Sequence, residues 1–200
     1  LLHETFHNFG LDFSAMSYNV DNKLGKLFNV NVEYNFFECY CETWARILNC
    51  VITTHLSYQN NIDKLFSLLN REKYFSIYQA CKILDFFDLT YDLISVKNEN
   101  NIVTCRHLYK ENTSVFTYFI LTSIFMFNYS DFINWCLENN LSIFNFEKTN
   151  QNIDSFYSLL KSLYRKKPFL ICNKREILLD KLQIDNEFLK LHSLRMSITE

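Results

Sequence analysis

Residues 3–10 read HETFHNFG. In a helix, residues four apart share a face, so His3 and His7 point the same way. Glu4 is rotated about 100° from His3 and lies beside that face rather than on it. Two imidazoles on one face suit a tetrahedral cation site, and a carboxylate beside them can take a proton from water. Gly10 stands where such a helix would stop, because glycine adopts the left-handed conformation without strain. The spacing predicts the end of a helix over residues 1–9 and a turn at Gly10.

A tetrahedral site also needs a third protein ligand. The longer pattern H-E-x-x-H-x-x-G-x-x-H would place it at Phe13, which cannot bind metal. Asp12 is the nearest carboxylate and lies one position off. Met16, in SAMSY, comes too soon after the helix for the methionine turn that accompanies that pattern. The second source is residues 34–50, YNFFECYCETWARILNC. Phe37, Tyr40, Trp44, Ile47, Leu48 and Val51 recur at helical spacing and predict a helix from about Val32 to Thr54. Glu38 and Glu42 share one face of it. Standing alone, two such acids are a solvated face. Beside H-E-x-x-H, one would bind the metal and the other would accept a ligand histidine's ring N–H, fixing its tautomer.

H-E-x-x-H followed by E-x-x-x-E on a helix resembles the gluzincin branch of the zincin metallopeptidases. The resemblance covers about residues 1–50. It implies a zinc ion held by His3, His7 and Glu38, with Glu4 as the base and Glu42 behind a histidine; Glu42 stays open as the alternative ligand. Trp44 would pack under the site, and Tyr34 or Tyr18 is a candidate donor to the oxyanion. The implied activity is zinc-dependent peptide-bond hydrolysis on a peptide or protein substrate, with water activated by zinc and Glu4. In zincins an upstream sheet holds extended peptide. This chain opens inside the motif and without Met, so an N-terminal part is expected to precede Leu1.

The rest of the chain reads as helix. Glycine occurs twice and proline once in 200 residues, too few for many strands and tight turns. The expected fold is mainly α with at most a few short strands. Residues 1–57 are read as the C-terminal part of a zincin-like domain, and residues 58–200 as a helical region that either belongs to that domain or is appended to it. Irregular chain is expected over 10–32. Helices are expected at NNIDKLFSLLN (60–70), capped by Asn60 or Asn61, and at EKYFSIYQACKILDFF (72–87). Others are expected over 115–127, at SDFINWCLEN capped by Ser130 or Asp131, at NIDSFYSLLKSLYR ended by Pro168, and at KREILLDKLQ (174–183). DLISV and NIVTCRHLY are read as short strands.

Composition excludes several roles. The net charge is −2 with no long basic run, so nothing marks a nucleic-acid partner. The longest apolar stretch, residues 115–129, is shorter than the roughly 20 residues a membrane span needs. Seven cysteines, an odd number without a C-x-x-C pair, are expected as free thiols in a reducing, intracellular compartment. Heavy use of Phe, Asn, Tyr and Ile is read as AT-rich coding, as in large DNA viruses, which would add the virion to the cytoplasm as a location. Cys105 with His107 is half a metal site without a matching half. His55 and His192 are lone histidines, and Asp85, Asp88 and Asp92 are solvated acids at a helix end. The alternative to an enzyme is a non-catalytic helical module that binds a partner protein.

Overall fold

The computed structural model describes residues 1–172, 178, 181, 182 and 194–198. Among these the secondary structure is helical. Helix α1 (Leu2–Asn8) closes on itself: the Gly10 N–H donates to the His7 carbonyl at 2.9 Å and the Leu11 N–H to that of Phe6 at 2.8 Å. This closure needs the left-handed φ of +59° that Gly10 adopts. Gly10→Ala puts a Cβ on that backbone, 3.3 Å from Lys148 Nζ. The expected loss is about 1–2 kcal/mol, read as a lower denaturant midpoint at unchanged m-value. A midpoint equal to wild type would show that the closure does not constrain the chain.

Residues 10–32 are irregular apart from one turn, α2 (Asp21–Leu24). Helix α3 (Phe36–Tyr58) starts and ends about four residues later than its periodicity indicated. Helix α4 (Ile62–Phe86) is continuous where two helices were expected. No glycine or proline interrupts it, and Leu68, Leu69, Glu72, Phe75 and Ser76 are buried along one face across the joint. Asn61 is its cap, accepting from the Lys64 N–H at 3.1 Å.

The two expected strands are instead helices, α5 (Tyr91–Ser95) and α6 (Glu99–Leu108). Local caps decide this. Thr90 accepts from the Leu93 N–H, and Asn98 from the Asn101 N–H at 2.8 Å. Next comes a π-helical stretch, Phe116–Leu121, that runs into α7 (Thr122–Phe127). Helix α8 (Tyr129–Asn139) begins at Asn128, so Ser130 and Asp131 lie in its first turn and do not cap it. Helix α9 (Asn150–Leu163) is capped by Thr149 and ends before Pro168. Pro168 sits in the first turn of α10 (Lys167–Cys172), where a missing N–H costs no helical bond. The helix expected over 174–183 lies mostly outside the described residues.

Helix α1 packs on α3, and α3 packs on α4; α7 contacts both α3 and α4. The core is unusually aromatic. Phe125 and Phe156 stack at 4.8 Å, Phe36 lies 4.8 Å from Phe156, and Phe13 lies 4.4 Å from Phe146. Each buried ring contributes roughly 1.5–3 kcal/mol. This cluster also fixes the site, because Phe13 follows α1 while Phe36 and Tyr40 belong to α3. One apolar cluster runs from Phe6 to Leu182 and draws on both sides of residue 57. Cys39, Cys41, Cys50, Cys105 and Cys136 are buried free thiols. No helix among the described residues is long and apolar enough to cross a membrane.

Candidate metal centre

The crossing of α1 over α3 brings three donor atoms together. His3 Nε2 lies 2.9 Å from Glu38 Oε2, His7 Nε2 lies 3.2 Å from the same oxygen, and the two ring nitrogens are 3.0 Å apart. Ligand atoms at bonding distance around a tetrahedral zinc lie about 3.3 Å apart. The triangle is therefore slightly tighter than a filled site.

The outer ring nitrogens are both engaged. His3 Nδ1 faces Glu42 Oε2 at 3.2 Å, and His7 Nδ1 faces Asp12 Oδ2 at 2.6 Å. A carboxylate on Nδ1 keeps the proton there and leaves the Nε2 lone pair for a cation. Asp12 is itself held by the Ser14 N–H at 2.5 Å. The structure thus places Glu38 in the triangle and Glu42 behind His3. Cys41 Sγ lies 3.9 Å from His7 Nδ1, close enough for His7, Asp12 and Cys41 to form a second donor group. Burial pushes the Cys41 thiol up, so it stays uncharged, and Asp12 already occupies that nitrogen. The second group backs His7 rather than forming a centre of its own.

The electrostatics agree with a site built for positive charge. Burial opposes protonation of His3, but hydrogen bonds to Glu38 and Glu42 outweigh it and raise its pKa to about 9. Burial pushes Glu38 up, yet the bond from His3, the nearby imidazoles and the Tyr118 hydroxyl leave its pKa below the usual value. Without metal, a proton on His3 holds the donors together. A divalent cation can replace that proton, because the donor set is two imidazoles and one carboxylate with no competing ammonium or guanidinium in the triangle.

Glu4 is exposed beside the triangle. It lines a cleft of about 600 Å³ together with His3, Glu42, Arg46 and Tyr118, and Leu2, Ala45 and Ile52 give the cleft an apolar wall. Tyr118 comes from the π-helical stretch. Its ring lies 5.5 Å from that of His3, and burial together with the nearby Glu38 carboxylate pushes its hydroxyl up.

The two tyrosines singled out from sequence lie elsewhere. Tyr18 donates to Asp154 at 2.7 Å and accepts from Lys23 at 2.9 Å. Tyr34 is buried among Phe28 and Phe116. Trp44 packs against Phe132 and Phe144, and Phe37 is the aromatic edge-on to His7. Met16 packs on the core away from the triangle. On α6, Cys105 is buried and His107 exposed. His55 pairs with Asn60 at 2.9 Å, and His192 lies outside the described residues.

Three residues of the site escaped the sequence reading. Asp12 was weighed only as a ligand. Arg46 donates to Glu42 at 2.8 Å, and its i,i+4 spacing was a usable signal. Tyr118 had no signal, because 80 residues of chain separate it from Glu38. Against protein-family models, curated proteins and solved structures, the chain finds no match.

Proposed function

We propose that this site binds one zinc ion and that the chain carries the catalytic centre of a zinc-dependent peptidase. One observation carries the reading: His3 Nε2, His7 Nε2 and Glu38 Oε2 lie within 3.2 Å of one another while Glu42 and Asp12 hold the outer ring nitrogens. Bound zinc would supply Lewis-acid polarisation of a scissile carbonyl and of the attacking water. Glu4, free of the triangle and open to the cleft, takes the proton from that water and passes it to the leaving amine. Tyr118 presents a hydroxyl beside Glu38 and is the oxyanion donor of this reading, a role worth about 3 kcal/mol. The apolar wall of the cleft holds a substrate side chain while the reacting bond lies over the triangle. The buried thiols fit a reducing, intracellular setting.

The test is metal content. Protein purified without chelators should hold about one zinc per chain, and His7→Ala should lose it. Metal-free wild-type protein would overturn the reading. It would favour the second one, a helical interaction module, for which the exposed Leu56, Ile62 and Phe66 at the α3–α4 end speak.

A further inference from the structure

We propose that Arg46 is a positioning residue that couples the metal ligands to Tyr118, an inference that rests on the zinc reading of the site. Arg46 is 1% exposed. A buried guanidinium is costly unless every face is partnered. Its partners here come from α3, α4 and the π-helical stretch. Nε donates to Glu42 Oε1 at 2.8 Å, Nη1 to Ser76 Oγ at 2.7 Å, and Nη2 to the Tyr118 carbonyl at 3.1 Å. The other oxygen of Glu42 holds His3 Nδ1 at 3.2 Å. The Tyr118 ring returns to His3, with the ring centres 5.5 Å apart, on the side where Glu38 holds His3 Nε2 at 2.9 Å. The contacts therefore close a circuit: His3, Glu42, Arg46, Tyr118 and back to His3. In such a ring the ligand orientation and the tyrosine placement cannot be set independently.

The π-helical turn is part of this device. Thr122 Oγ1 donates to the carbonyl five residues back, that of Thr117, at 3.1 Å, and the next carbonyl, that of Tyr118, faces Arg46. The far side of the guanidinium is tied as well. Ser76 donates to the fully buried Glu72 at 3.4 Å, and Glu72 accepts from the Ser197 hydroxyl and the Ile198 N–H at 2.9 Å each. Ser197 lines the same cleft as Glu4 and Tyr118, so the Arg46 hub reaches both lips of the site. Lysine keeps the charge but has no planar fork, so it cannot serve three partners in these directions.

The experiment uses Arg46→Lys in the full chain. Zn2+ affinity is measured by chelator competition, the visible spectrum is recorded with Co2+ in place of zinc, and the metal-free unfolding midpoint is taken alongside. The expected result is a protein that still takes up metal but binds Zn2+ roughly 10–100-fold more weakly, with an altered Co2+ band. In a double-mutant cycle with Tyr118→Phe, the effects on Zn2+ affinity should be non-additive. Wild-type affinity with a wild-type Co2+ band, or strict additivity, overturns the coupling. Should Arg46→Lys fail to fold, Arg46→Met combined with Glu72→Gln removes the guanidinium and the fully buried carboxylate behind Ser76, and the same weakening is expected; unchanged affinity there overturns the proposal too. Wild-type protein that takes neither Zn2+ nor Co2+ overturns the zinc reading itself, and the inference with it.

Discussion

Protein carrying Glu4→Gln should keep about one zinc per chain and lose peptide hydrolysis by roughly 10²–10⁴-fold, the contribution of a positioned general base. The expectation follows from where Glu4 stands. It belongs to the same helical turn as His3 but lies outside the donor triangle, exposed to the cleft. Glutamine has the same shape and still accepts a hydrogen bond from water, but it cannot take a proton. The proposed ligands His3, His7 and Glu38 keep every contact they have, so metal content should not move. Zinc content and cleavage of a mixed unstructured peptide pool are measured on the same preparation. Full cleavage by the variant excludes Glu4 as the base. Loss of the metal along with the activity would mean that Glu4 holds the ion, contrary to its position.

What the sequence made legible here was local periodicity. His3 with His7, and Glu38 with Glu42, were placed on shared faces by the helical repeat alone, and both faces exist. The assignment between Glu38 and Glu42 was not legible. It depends on how far along α3 the first helix crosses, and that is set by Phe13, Phe36 and Tyr40 meeting in the core. The same limit applies to Tyr118. Its approach to His3 results from α7 packing on α3 and from one extra residue in a helical turn, neither of which leaves a periodic trace. DLISV and NIVTCRHLY misled for a different reason. Their β-branched residues satisfy a strand pattern, but Thr90 and Asn98 stand at cap positions and the chain takes the hydrogen bonds nearest to it. The continuous α4 shows the converse, since polar residues 70–72 resemble a break yet contain nothing that ends a helix.

The second large effect separates the two acids of α3. Glu38→Ala should abolish stoichiometric zinc at concentrations that saturate wild type, because it removes one of three donor atoms. Its metal-free fold should change little, since Glu38 is partly exposed and its hydrogen-bond partners are the two imidazoles. Glu42→Gln should do the reverse. The amide oxygen still accepts from His3, so zinc binding weakens only by roughly 10–100-fold. The cost appears in stability, because Arg46 loses the charged partner that faces its Nε at 2.8 Å. A hydrogen bond to a charged group is worth about 1.5–3 kcal/mol, so the metal-free midpoint of Glu42→Gln should fall clearly below that of Glu38→Ala. The crossed pattern is what matters: one variant loses the ion and keeps the fold, the other keeps the ion and loosens the fold. If Glu42→Gln loses all zinc while Glu38→Ala retains it, the register is shifted by one turn of α3 and Glu42 is the ligand. If both retain wild-type affinity, the convergence of His3, His7 and Glu38 is a partly buried ion pair that holds α1 to α3, and the chemistry assigned to Glu4 has no metal to act beside.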